Sequence, residues 1–86
     1  MKIGFIVGKD DEIYDNDELF NKTPKKFLNK GPYSEPFLHT DVAIAMTIRK
    51  SYPHVKVDII LPNEISNQRL QKNDVNFIVG YDCINQ

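Results

Sequence analysis

Two short apolar runs that both end in glycine constrain the fold of this chain more than any other feature. They are KIGFIVG at residues 2–8 and NFIVG at residues 76–80. Strands that are apolar at nearly every position are typical of sheets covered on both faces, as in parallel α/β proteins. A third run, HVKVDIIL at residues 54–61, begins by alternating apolar with polar residues, which favours an edge strand.

A helical pattern covers residues 39–53, HTDVAIAMTIRKSYP. His39 or Thr40 precedes the first turn, and Asp41 lies where the helix dipole favours a negative charge. Pro53 ends the helix. One row of residues at helical spacing, widened by two isoleucines, forms the face that we expect to be buried: Val42, Ala45, Met46 and Arg49, with Ile44 and Ile48.

The order of elements predicts an α/β fold. A second, shorter helix is expected at residues 63–73, so the order is strand, long loop, helix, strand, helix, strand. Parallel strands joined through helices cross over with a right hand. We therefore expect a small three-layer, Rossmann-like half domain: a three-stranded parallel sheet in the order 2-1-3, two helices, and a long loop over residues 9–37 after the first strand. A chain of 86 residues has room for one such domain.

Composition excludes several classes of partner. A formal net charge of −1 provides no electrostatic reason to expect nucleic acid or an anionic membrane surface. No apolar run approaches the roughly 20 residues that a membrane helix needs. The single cysteine, Cys83, fits a reducing compartment. We therefore expect a cytoplasmic protein that binds neither nucleic acid nor membranes.

The loop after the first strand changes charge along its length. Six of the 12 acidic residues fall within residues 10–18, and four lysines follow within residues 22–30. Pairing of the acidic half with the basic half is the simplest explanation. The apolar residues among these charges predict that part of the loop packs on the domain: Phe20, Phe27, Leu28, Tyr33 and Phe37.

The recognised metal, nucleotide and nucleophile patterns do not fit. Asp15, Asp17 and Leu19 take the first three ligand positions of an EF-hand loop, and no glycine follows. The two histidines and Cys83 are too scattered for zinc. Neither G-x-G-x-x-G nor G-x-x-x-x-G-K-[ST] occurs. We predict no metal site and no catalytic residue in this chain, and an irregular divalent-cation site in the acidic run stays open as an alternative.

Position along the strands predicts a binding site. Ligands of open α/β sheets bind outside the carboxyl ends of the strands. Two of these ends are a glycine followed by polar residues, and the start of the long helix lies at the same edge. The candidate substrate-binding residues are Gly8, Lys9, Asp10, Asp11, His39, Tyr81 and Asp82. An ordinary turn at residues 80–82 is the alternative.

Four segments together resemble a known domain. MKIGFIVG, DVAIAMTIRKSYP, VKVDIILP and NDVNFIVGYD are similar to the N-terminal, pre-ATP-grasp domain of ATP-grasp ligases. The likeness is to glutathione-synthetase-like and D-alanine–D-alanine-ligase-like members, including versions similar to those carried by large algal viruses. The loop over residues 9–37 matches only loosely, and no invariant catalytic residue matches.

The resemblance implies a role that is not catalytic on its own. In such ligases ATP phosphorylates a carboxylate and an amine then attacks it, and the N-terminal domain forms one wall of the pocket for an amino acid or peptide substrate. ATP and Mg²⁺ are held by a downstream ATP-grasp domain, so this chain alone would bind neither. By this resemblance residues 1–86 are the N-terminal part of a longer ligase. The alternative is a small non-catalytic interaction domain that forms a homodimer.

Overall fold

The computed structural model describes residues 1–8, 13–30 and 36–78. These residues form five strands: β1 (Lys2–Ile6), β2 (Asn29–Lys30), β3 (Pro36–Phe37), β4 (Lys56–Ile60) and β5 (Val75–Ile78). They also form three α-helices: α1 (Asp17–Lys22), α2 (Thr40–Ser51) and α3 (Asn67–Gln71). Single 3₁₀ turns cover Lys25–Phe27 and Pro62–Glu64. No helix in these described ranges has the length and apolar character needed to cross a membrane.

The main sheet has the predicted arrangement. Its three strands are all parallel and lie in the order β4-β1-β5, so the first strand is central. Phe5 lies in register with Ile59 of β4 on one side and with Phe77 of β5 on the other. The α/β class and the central position of the first strand are therefore confirmed. The alternating strand, β4, lies at an edge as expected.

Helix α2 is close to the predicted segment. His39 has an extended backbone and is the N-cap, and Tyr52 ends the helix just before Pro53. The predicted apolar face was wrong at one position, because Ile44 is 45% exposed whereas Ala43 is buried. At 3.6 residues per turn, residue 44 lies about 180° from the middle of the buried row, so it faces away from the sheet.

The main core cluster lies on the face of the sheet that packs against α2, and Ile6 and Ile60 are buried on the opposite face. Phe5 of β1, Ile59 of β4 and Val7 just beyond β1 share the first face, because alternate residues of a strand point to the same side. The buried members of the core cluster are completed by residues of α2 and of the preceding segments: Leu19, Phe27, Leu38, Val42, Ala43, Ala45 and Met46. Burial of this face, at about 25 cal/mol per Å² of apolar area, is the main favourable term in folding.

The segment predicted as a long loop, residues 9–37, differs in detail from that prediction, because its described part contains α1, a 3₁₀ turn and the β2–β3 pair. Asn16 caps α1 by accepting a hydrogen bond from the Leu19 amide at 3.0 Å. Leu19 is buried against the domain, and the Thr23 hydroxyl donates to the Leu19 carbonyl at 2.6 Å. The expected packing of the loop is confirmed for Phe20, Phe27, Leu28 and Phe37, which are buried or partly buried, while Tyr33 lies outside the described residues.

The helix predicted at residues 63–73 is divided in two. The 3₁₀ turn Pro62–Glu64 comes first and α3 follows. The described residues contain three α-helices where two were predicted, because α1 forms within the segment predicted as a loop. Ser66 separates the two segments, because its extended backbone breaks the helix and its hydroxyl caps the next one at the Arg69 amide. Ser and Asn favour such caps over helix interiors.

Strand β5 differs from the expectation of burial on both faces. Its four residues are all exposed, with Phe77 at 47% and Ile78 at 59%. Phe77 stacks on Phe5 of the central strand with 5.5 Å between ring centroids, so the covered side of its ring is the one that faces Phe5. The physical reason is that α2 lies over the β1–β4 half of the sheet and reaches β5 far less.

The opposite face of the sheet carries a polar network beneath α3. Arg69 of α3 binds Asp58 of β4 through both carboxylate oxygens, at 2.8 and 3.0 Å. Asn73 donates to the Asn76 side chain at 2.9 Å, and Asn76 in turn donates to a carbonyl at the end of α3. Helices α2 and α3 therefore contact opposite faces of the sheet.

Gly4 is required by this network. A Cβ added there would overlap the side-chain oxygen of Asn76 and the side-chain nitrogen of Asn73. We expect Gly4→Ala to lower the free energy of unfolding by about 1–3 kcal/mol, as overpacking does. Urea denaturation measures this cost. In an Asn76→Ala background the cost should fall by at least about 0.5 kcal/mol, and an unchanged cost would argue against the contact.

The Asp58–Arg69 pair makes stability depend on pH. Hydrogen bonding from Arg69 is the main cause that lowers the pKa of Asp58 below 3.8 in the folded chain. A lowered folded pKa stabilises the fold above the unfolded pKa of about 3.9, and that stability is lost as pH falls through the folded value. We expect Asp58→Asn to flatten the fall in unfolding free energy below about pH 4. Asp15→Asn is the matched control, and equal flattening by both would contradict this assignment.

Candidate functional site at the carboxyl end of the central strand

The first described residues beyond β1 are tied to the start of α2. The Gly8 amide donates to the Asp41 Oδ2 atom at 2.7 Å. Asp41 is only 1% exposed, and its Oδ1 atom accepts from the Val42 amide, also at 2.7 Å. One buried carboxylate thus connects the end of the central strand to the first turn of the helix, and it fixes where the following loop leaves the sheet.

His39 lies beside this connection. Its side chain is buried, and its ring meets the edge of the Phe37 ring with 4.9 Å between centroids. Its backbone pairs with that of Ile13 in an antiparallel bridge, and the Tyr14 amide donates to the Leu38 carbonyl at 2.9 Å. The segment that follows the acidic start of the loop is thereby held against the approach to α2.

The structure brings two of the seven predicted site residues together: Gly8 and His39 both lie next to Asp41. The other five fall outside the described residues: Lys9, Asp10, Asp11, Tyr81 and Asp82. The premise of the prediction is confirmed, because Ile6 and Ile78 are in register and the carboxyl ends of β1 and β5 therefore adjoin. Whether those five residues share the site stays a prediction.

Sequence reasoning missed the central residue, Asp41. It was assigned only a favourable interaction with the helix dipole, although its carboxylate also joins two elements that are 33 positions apart. The carboxylate of Asp41 also accepts from the Val42 amide. No local signal identifies such a long-range partner.

A cleft of about 300 Å³ opens next to this site. It lies between two segments that the Tyr14–Leu38 hydrogen bond holds together. Aromatic and acidic residues both contribute to its walls, and its lining is Ile13, Tyr14, Asp15, Asn16, Asp17, Phe20, Pro36, Phe37 and Leu38. A small molecule therefore has a concave surface to occupy within this part of the chain.

Charge pairing in the loop follows the prediction only in part. Glu18 binds Lys22 at 3.2 Å and Lys50 of α2 at 2.6 Å, and these lysines lower the pKa of Glu18, with Lys50 the larger cause. Lys26 instead approaches Glu64, outside the loop, at 3.8 Å. Within the described part of the loop, the basic half therefore does not pair with all of the acidic half.

Metal binding has no support in the described ranges. No group of three or more histidine, cysteine, aspartate or glutamate side chains within them could hold an ion. His54 is exposed, and its ring makes a T-shaped contact with the Tyr52 ring, with 6.3 Å between the ring centroids. Cys83 lies outside the described residues. Of the acidic run at residues 10–18, in which an irregular cation site was the open alternative, residues 10–12 lie outside the described residues.

Comparison with known proteins identifies no family for this chain. No protein-family model, no curated protein and no solved structure matches the chain.

Proposed function

We propose that this chain is the substrate-side, N-terminal domain of an ATP-dependent carboxylate–amine ligase of the glutathione-synthetase-like kind. In this proposal it is a three-layer, Rossmann-like half domain, and its substrate is an amino acid or a peptide. The observation that carries the proposal is the Gly8–Asp41 connection at the carboxyl end of a central parallel strand.

Topology supports this position for the substrate. The chain passes from β1 to β4 on one side and then crosses to β5 on the other, so the strand order reverses at β1. In open α/β sheets the crevice at such a reversal is the usual ligand site. Asp41 holds Gly8, which lies just beyond the carboxyl end of β1, at that crevice. A domain built in this way can supply one fixed wall of a pocket.

The chain's own contribution is to position substrate. ATP with Mg²⁺ would supply the activation of a carboxylate, and the described residues offer no group of metal ligands for that purpose. By the family resemblance, nucleotide binding would fall to a downstream part of the same polypeptide. Asp41 and Gly8 would orient the loop and exclude water from one side of the substrate.

The proposal is tested on the complete natural polypeptide. We expect ADP to form only when a carboxylate substrate and an amine substrate are both present, with a pool of amino acids and dipeptides as the source. A coupled assay for ADP measures this, and omission of either substrate class is the control. The ligase proposal would be ruled out by a natural reading frame that stops at Gln86. It would also be ruled out if the complete polypeptide formed no ADP with the full pool of substrates.

A second candidate is a non-catalytic domain that pairs with another copy of itself through β5. The observation that favours it is the outer edge of β5, which pairs with no strand among the described residues and carries no charged side chain. Charges normally protect such edges. Two copies of β5 could pair antiparallel about a two-fold axis, because that contact is self-complementary.

Sedimentation equilibrium of the chain and of Ile78→Lys distinguishes this candidate. A dimer that the lysine converts to monomer would support it. A monomer at millimolar concentration would remove it, as would a dimer that the lysine leaves intact.

A further inference from the structure

Two carboxylates that line the cleft have no ion-pair partner within the described residues. Among the acidic residues of the described ranges, Asp15 and Asp17 are the two whose carboxylates take part in no ion pair or hydrogen bond. Both line the same cleft. The nearest lysine on α1, Lys22, is engaged by Glu18, and so is Lys50. The cleft therefore presents two solvent-exposed carboxylates that make no ion pair within the described residues.

The walls between these carboxylates are aromatic. Tyr14, Phe20 and Phe37 line the cleft, and Tyr14 is an exposed large side chain. The face of an aromatic ring attracts a cation, and this attraction strengthens where water is partly excluded. The contact between the Phe37 and His39 rings and the Tyr14–Leu38 hydrogen bond hold two of these aromatic residues in place.

We infer that this cleft binds a small organic cation, namely an ammonium group carried on an apolar body. Carboxylates would receive the ammonium hydrogens, and the rings would pack on the apolar part. A volume of about 300 Å³ is at the lower end for small-molecule sites. A bare Mg²⁺ or Ca²⁺ fits less well, because such ions need at least six oxygen ligands and gain nothing from aromatic walls. The inference does not depend on the proposed ligase role.

Three matched probes test the inference by backbone amide NMR of the whole chain. They are 2-phenylethylamine, its neutral counterpart 2-phenylethanol, and the anion 3-phenylpropanoate. We expect the amine to shift the amides of residues 13–17 and 37–38, and to bind about tenfold more tightly than the alcohol. Its binding should weaken as salt rises from about 20 to about 300 mM, because salt screens exposed charges.

Variants then assign the effect to the two carboxylates. Asp15→Asn and Asp17→Asn should each weaken binding of the amine by about fivefold, since one favourable charge contact at about 4 Å in water has roughly that effect. Asp74→Asn is the control of equal charge change, because Asp74 lies away from the cleft and its asparagine can still accept from the Lys2 amide. Thermal unfolding shows whether each variant remains folded.

Several results would overturn the inference. Equal binding of the alcohol and the amine would show that charge is not recognised. Unchanged binding by the Asp15→Asn, Asp17→Asn double variant would place the ammonium elsewhere. If Mg²⁺ or Ca²⁺ alone shifts the same amides, and its presence prevents binding of the amine, the cleft is a metal-ion site. ADP formation by the natural polypeptide is read separately, so a failed ligase assay leaves this result unaffected.

Discussion

Replacement of Ile60 by alanine is expected to lower the free energy of unfolding by about 2–5 kcal/mol, the usual cost of truncating a buried isoleucine. Ile60 is fully buried in β4 and lies in register with Ile6 of the central strand. The loss combines the transfer of apolar atoms to water with the cavity left behind. Urea denaturation followed by circular dichroism measures it. For a chain of this size the loss is a large part of the total stability.

Ile78 is the matched control for this substitution. It lies in register with Ile6 on the opposite side, in β5, and it is 59% exposed where Ile60 is fully buried. The same isoleucine-to-alanine change should therefore cost less than about 1 kcal/mol at residue 78. Equal costs at the two positions would show that β5 is covered in solution, and that this account of the sheet is wrong.

Asp41→Ala is expected to lower the free energy of unfolding by about 2–4 kcal/mol. The substitution removes the acceptor of the Gly8 amide and of the Val42 amide, and hydrogen bonds to a charged group contribute about 1.5–3 kcal/mol each. The loss of a buried charge offsets part of this cost. We also expect hydrogen exchange at the Gly8 amide to accelerate more than exchange in the middle of α2.

Asp41→Asn is the control that keeps the shape of the side chain. Its amide oxygen can still accept one of the two hydrogen bonds, so its cost should be smaller than that of alanine. If alanine and asparagine both leave exchange at Gly8 unchanged, Asp41 does not hold the end of β1. If alanine destabilises the chain but Gly8 exchanges as before, the carboxylate has a role in the core and none at the strand end.

Features that depend on local pattern were predictable from the sequence. Burial of Phe5 and Ile6 on opposite faces follows from a central strand that is apolar at nearly every position. The ends of α2 were close to prediction because His39, Asp41 and Pro53 are ordinary boundary residues. The edge position of β4 follows from its alternating start.

Features that depend on which elements meet could not be predicted. The exposure of β5 results from the placement of α2 over the other half of the sheet, and its apolar sequence alone indicates burial. The Gly8–Asp41 contact joins residues 33 positions apart, so only the folded chain reveals it. Helix α1 has a cap and a buried leucine in its sequence, but six residues are too few for a visible helical period.

The position of Gly8 at the strand end was predictable, and the pairing of the acidic side chains was not. Adjacent parallel strands end at the same edge, and Gly8 lies just beyond the carboxyl end of β1. The unpaired state of Asp15 and Asp17 was not predictable, because the lysines that follow them in sequence are equally able to pair with them. In the fold, Lys22 binds Glu18 and Lys26 approaches Glu64.

We propose above all that substrate binds at the carboxyl end of β1. The most direct test is a titration of the chain with N-acetylated amino acids and dipeptides, followed by backbone amide NMR. These probes lack a free ammonium group, so they separate this site from the cleft. We expect saturable shifts that are largest at the amides of Gly8 and Val42 and are reduced by Asp41→Asn. Shifts confined to the amino end of the sheet, around Lys2 and Asp74, would contradict binding at this site. The absence of any shift up to the highest soluble probe concentration would contradict it too.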